Sequence, residues 1–139
     1  MYKKTIKYVD FNGVEREEDF YFHLTNAELI KLEFGENGGL EATIREISET
    51  EDSARVMDLF ERIVKMSYGK RPGDGHKFIK RHEFVEEFIS SEAYSNMLME
   101  MLANPTLMSE FINGISSAVA VDPNRQSFAS TIIEMQKSE

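Results

Sequence analysis

Polar and apolar residues alternate near the start of the chain and then change to a helical spacing. Two strand-like runs, about residues 3–10 and 14–24, flank Asn12-Gly13, a dipeptide that strongly favours a β-hairpin turn. The second run continues directly into residues 25–28, Thr-Asn-Ala-Glu, which form a capping box that begins a helix. The pattern therefore predicts an N-terminal hairpin attached to a mostly helical domain.

The register of this hairpin decides which side chains face the core. A two-residue loop would place Ile6 opposite Asp19 and set the apolar faces of the two strands against each other. A three-residue loop would pair Ile6 with Phe20 and restore one apolar face, so we expect a bulge near Gly13. The first half of strand two, residues 15–19, is acidic and should be exposed, whereas its aromatic end should be buried.

Apolar residues recur at helical spacing through most of the remaining chain. Helices are predicted from Thr25 with an apolar stripe of Ala27, Ile30 and Phe34, then over about 39–49 and about 52–68. After a loop at 69–76 and a short extended piece, further helices begin at about 82, after a break at Ser90-Ser91, and at Asn104-Pro105.

These elements define the predicted fold class, which is α+β and mostly α. We expect an N-terminal β-hairpin, about 3–10 and 14–24, packed on a bundle of about five to six helices. The length of 139 residues suits one globular domain, which we place at residues 1–119. Residues 120–139 have weak periodicity and are expected to form a flexible or partly helical tail.

Composition narrows the chemistry available to the chain. It contains no cysteine, which excludes disulfides, thiol catalysis and thiolate metal sites. No apolar run approaches the ~18 residues of a membrane span, and the N-terminus has no apolar signal region, so we expect a cytosolic protein without a membrane partner. The net charge of −9 argues against nucleic-acid binding, because phosphate contacts require clustered Lys and Arg.

The charge is distributed unevenly along the chain. A basic segment at residues 62–81 contains a single acidic residue, Asp74, whereas residues 82–124 contain no Lys or Arg at all. These two regions could attract each other within one fold or between subunits. A homo-oligomer is therefore one of the expected assemblies.

No pattern of catalytic or metal-binding residues is present. His23, His76 and His82 have none of the spacings typical of metal sites. The loop at 69–76 lacks the residue order of a phosphate-binding loop and is better interpreted as a surface connection. We therefore predict no enzyme activity and no cofactor.

A methionine-containing region near the C-terminus is the best candidate for a binding surface. Methionine fills cores but also forms adaptable apolar binding faces. Met97 and Met101 fit ordinary core positions, whereas Met99 lies off their stripe and should be exposed or in an interface. The predicted partner-binding or oligomer surface comprises Met97, Met99, Met101, Leu102, Met108, Phe111 and Ile112.

The order of several short blocks resembles the tail assembly chaperones of long-tailed bacteriophages and of prophages of Gram-positive bacteria. The blocks are KKTIKYVDFNGVEREEDFYFHLTNAEL, then GGL at 38–40, SYGK at 67–70 with its loop to Phe78, EAY at 92–94 and EFINGI at 110–115. The resemblance covers roughly residues 1–118 and consists of packing and turn features.

This resemblance implies a non-enzymatic protein of the host bacterial cytoplasm that is absent from the mature virion. Such chaperones coat and solubilise the tape measure protein and help recruit the tail tube protein. Many are also made in a longer, frameshifted form, and this chain would then be the short form. Two alternatives remain open: an acidic phage-encoded inhibitor or nucleic-acid mimic, and a structural tail component that assembles through its hairpin edge.

Overall fold

A computed structural model describes residues 1–33, 42, 45–46, 49 and 51–116. Within these residues the elements follow in the order β1 (Tyr2–Val9), β2 (Glu15–Phe22), α1 (Asn26–Glu33), α2 (Ser53–Ser67), β3 (Tyr68–Gly69), α3 (His82–Ile89), α4 (Glu92–Ala103) and α5 (Pro105–Gly114). The predicted α+β, mostly α class is confirmed. The predicted helix at 39–49 lies mostly, and the predicted tail wholly, outside the described residues. The domain limit at residue 119 stays a prediction.

The hairpin turn is fixed by Asp10. Its carboxylate accepts hydrogen bonds from the backbone N–H groups of Asn12 at 2.9 Å and Val14 at 3.0 Å. The Asp10 C=O accepts from the N–H of Gly13, and the Asp10 N–H donates to the C=O of Val14, both at 2.9 Å. Gly13 has a φ of +78°, which favours glycine. The loop is therefore Phe11–Gly13, three residues ending in a glycine bulge.

The loop length and the bulge confirm the prediction, but the predicted register was wrong by two residues. Ile6 lies opposite Glu18 and not opposite Phe20. The difference arises because the Asp10 side chain anchors the turn one residue earlier than the hydrophobic pattern alone suggests. A shift of two residues leaves every side chain on the same face, so the apolar face is retained.

The sheet has a third strand that the sequence pattern did not predict. β3 pairs antiparallel with the end of β2 through Tyr68 and Gly69, where we expected only a helix end and a loop. Gly69 permits this because a Cβ there would lie 2.7 Å from the carbonyl oxygen of Ile79, a backbone atom. A parallel bridge between Leu24 and Ser116 also ties the end of α5 to the chain after β2.

Two helices, α1 and α5, begin where the capping residues of the sequence predicted. The N–H of Thr25 donates to Glu28 Oε1 at 2.9 Å and the N–H of Glu28 donates to Thr25 Oγ1 at 3.2 Å, which completes the capping box. Asn104 Oδ1 accepts from the N–H of Leu107 at 3.3 Å, with Pro105 in the first turn of α5. The break between α3 and α4 falls at residues 90–91, as expected.

One predicted apolar stripe was placed on the wrong face of its helix. In α1 the buried side chain is Leu29, while Ala27 and Ile30 are exposed. Phe34, the third residue of that stripe, lies outside the described residues. The capping box fixes where α1 begins, but which face is buried depends on where the sheet and the later helices lie.

An aromatic cluster forms the core between the sheet and the helices. Phe22, fully buried at the end of β2, lies 5.3 Å from Phe111, 5.5 Å from Tyr68 and 5.7 Å from Phe88, measured between ring centroids. Aromatic pairs at these distances add stability beyond the area they bury. The acidic first half of β2, residues 15–19, is exposed as predicted.

Candidate partner-binding surface

The seven predicted surface residues divide into core and exterior. Five of them are at most 3% exposed and pack in the hydrophobic core: Met97, Met101, Met108, Phe111 and Ile112. These five are not available on the surface of one folded copy. Met99 and Leu102 remain outside, at 66% and 38% exposed. Their role in binding a partner stays a prediction.

Met99 and Leu102 form an exposed apolar stripe on α4, and the polar Ser95 lies on the same face. The spacing of four and three residues places all three side chains on one face of the helix. We call this stripe the α4 surface. The charged residues beside it on α4 are Glu92 and Glu100, and Glu100 pairs with Lys4 of β1, whose Nζ lies 3.0 Å from Glu100 Oε1. The border of the α4 surface is therefore acidic at Glu92 and partly neutralised at Glu100.

The hairpin tip is a second exposed apolar surface, and the sequence analysis did not identify it. Phe11 is 79% exposed, with Val9 at 48% and Val14 at 51% beside it. We call these three residues the hairpin tip. The position of Phe11 directly before Asn12-Gly13 could have indicated that its side chain is exposed. A side chain in a turn has no cross-strand partner, so a bulky apolar residue there remains in solvent.

The turn holds the tip in one conformation. Besides its four hydrogen bonds within the turn, Asp10 forms an ion pair with Arg16, whose Nε lies 2.6 Å from Asp10 Oδ2. The hydrogen bonds that the carboxylate accepts lower the pKa of Asp10, with the Arg16 contact the largest cause, followed by the N–H groups of Val14 and Asn12. Phe11 is thus presented on a turn that is ordered before any partner arrives, which reduces the entropy lost on binding.

Much of the basic segment is already engaged within the fold. The cations of Lys70 and Arg81 lie over the ring of Phe84, at 4.5 and 5.8 Å from its centroid. Arg71 lies 5.1 Å from the centroid of Tyr21. Such contacts stabilise by about 0.5–1 kcal/mol at exposed sites. We expected the basic segment to attract the acidic residues that follow it. Part of its positive charge instead contacts aromatic rings of the same chain.

Lys80 makes the strongest of these internal contacts. Its Nζ lies 2.7 Å from both carboxylate oxygens of Glu28 and donates to the carbonyl of Met66 at 2.8 Å. Burial opposes the negative charge of Glu28, but hydrogen bonds from Lys80 and Thr25 outweigh it and lower the pKa. Burial also lowers the pKa of Lys80, which opposes the pair. We take the pair as ionised, because three short contacts surround the ammonium group.

The histidines do not assemble a chemical site. Within the described part of the chain, no three His, Asp or Glu residues lie close enough to hold a metal ion. His82 pairs with Glu86 one helical turn away, and His76 contacts Asp74 in the surface turn after β3. His23 is half-buried with its Nδ1 lacking a hydrogen-bond partner among the described residues, and burial lowers its pKa.

Comparison with known proteins identifies the family. None of the described helices is long and apolar enough to cross a membrane. Neither a curated protein nor a solved structure matches the chain. The family described as "Phage tail assembly chaperone" matches residues 1–121, which include every strand and helix described above. The chain therefore belongs to the phage tail assembly chaperone family.

Proposed function

We propose that this protein binds the tape measure protein, keeps it soluble, and helps recruit the tail tube protein while the phage tail assembles. The role is non-enzymatic and is exerted in the cytoplasm of the host bacterium. The family match carries the proposal, because it spans all of the described residues. A longer frameshifted form of the same chain would take part in the same assembly.

Two exposed apolar surfaces support contact with an apolar client. The α4 surface offers Met99, a flexible and polarizable side chain that adapts to different partner shapes. The hairpin tip offers Phe11 on an ordered turn. A long helical client would present many apolar side chains, and these two surfaces could each cover some of them.

The acidic helices support a solubilising role. Residues 82–116, which include α3, α4 and α5, contain no Lys or Arg but contain Glu83, Glu86, Glu87, Glu92, Glu100 and Glu110. A client covered by such chains would acquire negative charge, and mutual repulsion would keep the complexes apart in solution. This effect follows from charge alone and does not require an enzyme.

Co-expression with the tape measure protein of the same phage genome tests the proposal. The soluble fraction of the tape measure protein and its co-purification with this chain are measured, with the tape measure protein expressed alone as reference. The proposal predicts that this chain raises the soluble fraction and co-purifies with the tape measure protein. A tape measure protein that stays insoluble and unbound would contradict the proposal.

Surface variants locate the contact. Met99→Gln with Leu102→Gln changes the α4 surface, and Phe11→Gln changes the hairpin tip. Met57→Gln is the matched control, because Met57 is exposed at 36% on a different helix, α2. Loss of an apolar anchor should weaken co-purification by about tenfold or more, equal to about 1.4 kcal/mol. If the control weakens binding equally, neither surface is the specific contact.

Mass spectrometry of finished particles tests the place of the protein in assembly. A chaperone acts before completion, so the chain should be absent from purified virions while the tail tube and tape measure proteins are present. Recovery of this chain in stoichiometric amounts would favour a structural tail component instead.

A further inference from the structure

A cavity of about 290 Å³ lies beside β2, at the point where β3 separates from it. Its walls come from β1, β2, β3 and α3, and the aromatic and acidic side chains that line it include Tyr8, Glu18, Phe20, Tyr68, Glu87 and Phe88. We call it the Tyr68 cavity. Sites for drug-sized ligands occupy roughly 300–1,000 Å³, so this volume suits a single side chain or a comparably small group.

The Tyr68 hydroxyl faces the cavity without a hydrogen-bond partner among the described residues. Tyr68 is only 5% exposed, and its ring stacks on Phe88 at 4.6 Å between centroids. Burial is the largest cause that raises the pKa of Tyr68 to about 12, followed by the negative charges of Glu87 and Glu18. The hydroxyl therefore points toward these two carboxylates. Because buried polar groups normally have partners, this one marks a position where a ligand could bond.

The carboxylates of Glu18 and Glu87 form an acidic wall of the cavity. Glu18 accepts a hydrogen bond from the Tyr8 hydroxyl, which holds it in place. Glu87 is exposed and makes no ion pair or hydrogen bond within the described ranges. The rings of Phe20 and Phe88, 4.9 Å apart between centroids, form an aromatic wall. Carboxylates beside aromatic faces are surroundings that favour a guanidinium group.

Two cations at the rim, Lys70 and Arg71, are engaged with aromatic rings. Lys70 Nζ lies 4.5 Å from the centroid of Phe84, and the Arg71 guanidinium lies 5.1 Å from the centroid of Tyr21. Neither forms an ion pair with the acidic wall in the part of the chain that the structure describes. An anionic ligand would require these cations to leave their rings, whereas a cationic ligand would not. The cavity therefore favours a cation.

We propose that the Tyr68 cavity binds the guanidinium group of an arginine side chain from a partner protein. This planar group has five N–H donors in a fixed geometry, so it can reach the acidic wall and the Tyr68 oxygen together while its face packs on the aromatic wall. The ammonium group of lysine is a compact point charge and cannot stack in this way. The inference goes beyond the proposed client and does not depend on it.

An NMR titration of the full chain with N-acetyl-arginine N-methylamide tests the site. The matching citrulline compound has nearly the same shape without the charge and is the control ligand. The arginine probe should shift the amide signals of Gly69 and Ser91, which line the cavity, with saturation in about the millimolar range. The citrulline probe should bind at least about tenfold more weakly. Equal binding of both probes, or inorganic phosphate binding there in place of the arginine probe, would overturn the inference.

Single substitutions assign the contact to the cavity. Glu87→Gln and Tyr68→Phe should each weaken binding of the arginine probe at least about threefold. Glu83→Gln removes the same charge from an exposed position of α3 outside the cavity and should leave binding unchanged. If it weakens binding as much as Glu87→Gln does, the probe responds only to net charge and the inference is wrong. Circular dichroism verifies folding, and Glu87→Gln decides alone if Tyr68→Phe is unfolded.

Discussion

Gly114 lies directly against the ring of Tyr2, so that the last turn of α5 packs on the first residue of β1. A Cβ at position 114 would lie 2.8 Å from Tyr2 Cδ2, and the ring cannot simply withdraw because it packs edge-on against Phe111 at 5.1 Å. Gly114→Ala should therefore lower the free energy of unfolding by about 1–2 kcal/mol, since overpacking outweighs the gain in helix propensity. Asn113→Ala, at the exposed neighbour, is the control and should change it little in urea unfolding.

Substitutions at Gly13 test the energetic cost of its backbone conformation, because an added side chain there would cause no steric clash. Its φ is +78°, and a Cβ there would meet no atom within 4 Å. Gly13→Ala should cost about 1–2 kcal/mol through the left-handed conformation alone. Gly13→Asn should cost less, because asparagine tolerates this region better. Thermal unfolding of the three proteins measures the difference, and equal stability of all three would contradict the assigned turn.

Met97 and Met99 separate core from surface within one helix. Met97 is fully buried, so Met97→Ala should lower the free energy of unfolding by about 2–5 kcal/mol. Met99 is 66% exposed, and Met99→Ala should change it by less than about 0.5 kcal/mol. Chemical denaturation gives both values. A large loss at Met99 in the isolated chain would show that this side chain is buried in solution.

His23 should make stability fall on mild acidification. Its folded pKa is lowered from the ordinary 6.5, first by burial and then by the positive charges of the N-terminus and Lys80, with Glu28 acting in the opposite direction. The unfolded chain therefore binds more protons between the folded pKa and 6.5, and stability decreases as pH falls through this window.

Urea midpoints at pH 7.5 and 5.5 measure this effect. The midpoint should fall in the wild type and fall less in His23→Gln. His82→Gln is the control for removing an exposed imidazole. A pH dependence identical in all three proteins would exclude His23 as its source.

The sequence predicted correctly those features of the fold that depend only on neighbouring residues, such as the starts of capped helices. Capping at Thr25 and Asn104 depends on residues within one turn, and the structure contains both caps. β3 was missed because two residues carry no periodicity, and its existence depends on the distant pairing of Tyr68 with Phe22. The hairpin register was missed because it depends on the hydrogen bonds of one side chain, Asp10, and not on the hydrophobic pattern.

Exposed and buried residues of the candidate surface could be separated from the sequence only within one helix, where the helical repeat decides which residues share a face. The phase of α4 separated Met99 from Met97 and Met101, and burial agrees with that separation. It could not show that Met108 and Phe111 of α5 face inward, because that depends on how α5 packs. Phe11 was missed because it lies outside the predicted strand, about 3–10, and the pattern does not show that the turn at Asp10 leaves its side chain in solvent.

The position of Phe22 at the centre of the core has a consequence for synthesis on the ribosome. Its packing partner Phe111 follows 89 residues later in the chain. At about 5–20 residues per second, roughly 4–18 s separate the two. During that interval the hairpin is complete, yet its aromatic face has no helix α5 to cover it. The nascent chain thus exposes an apolar sheet face for seconds, and a chaperone of phage assembly would itself depend on host factors that shield nascent chains.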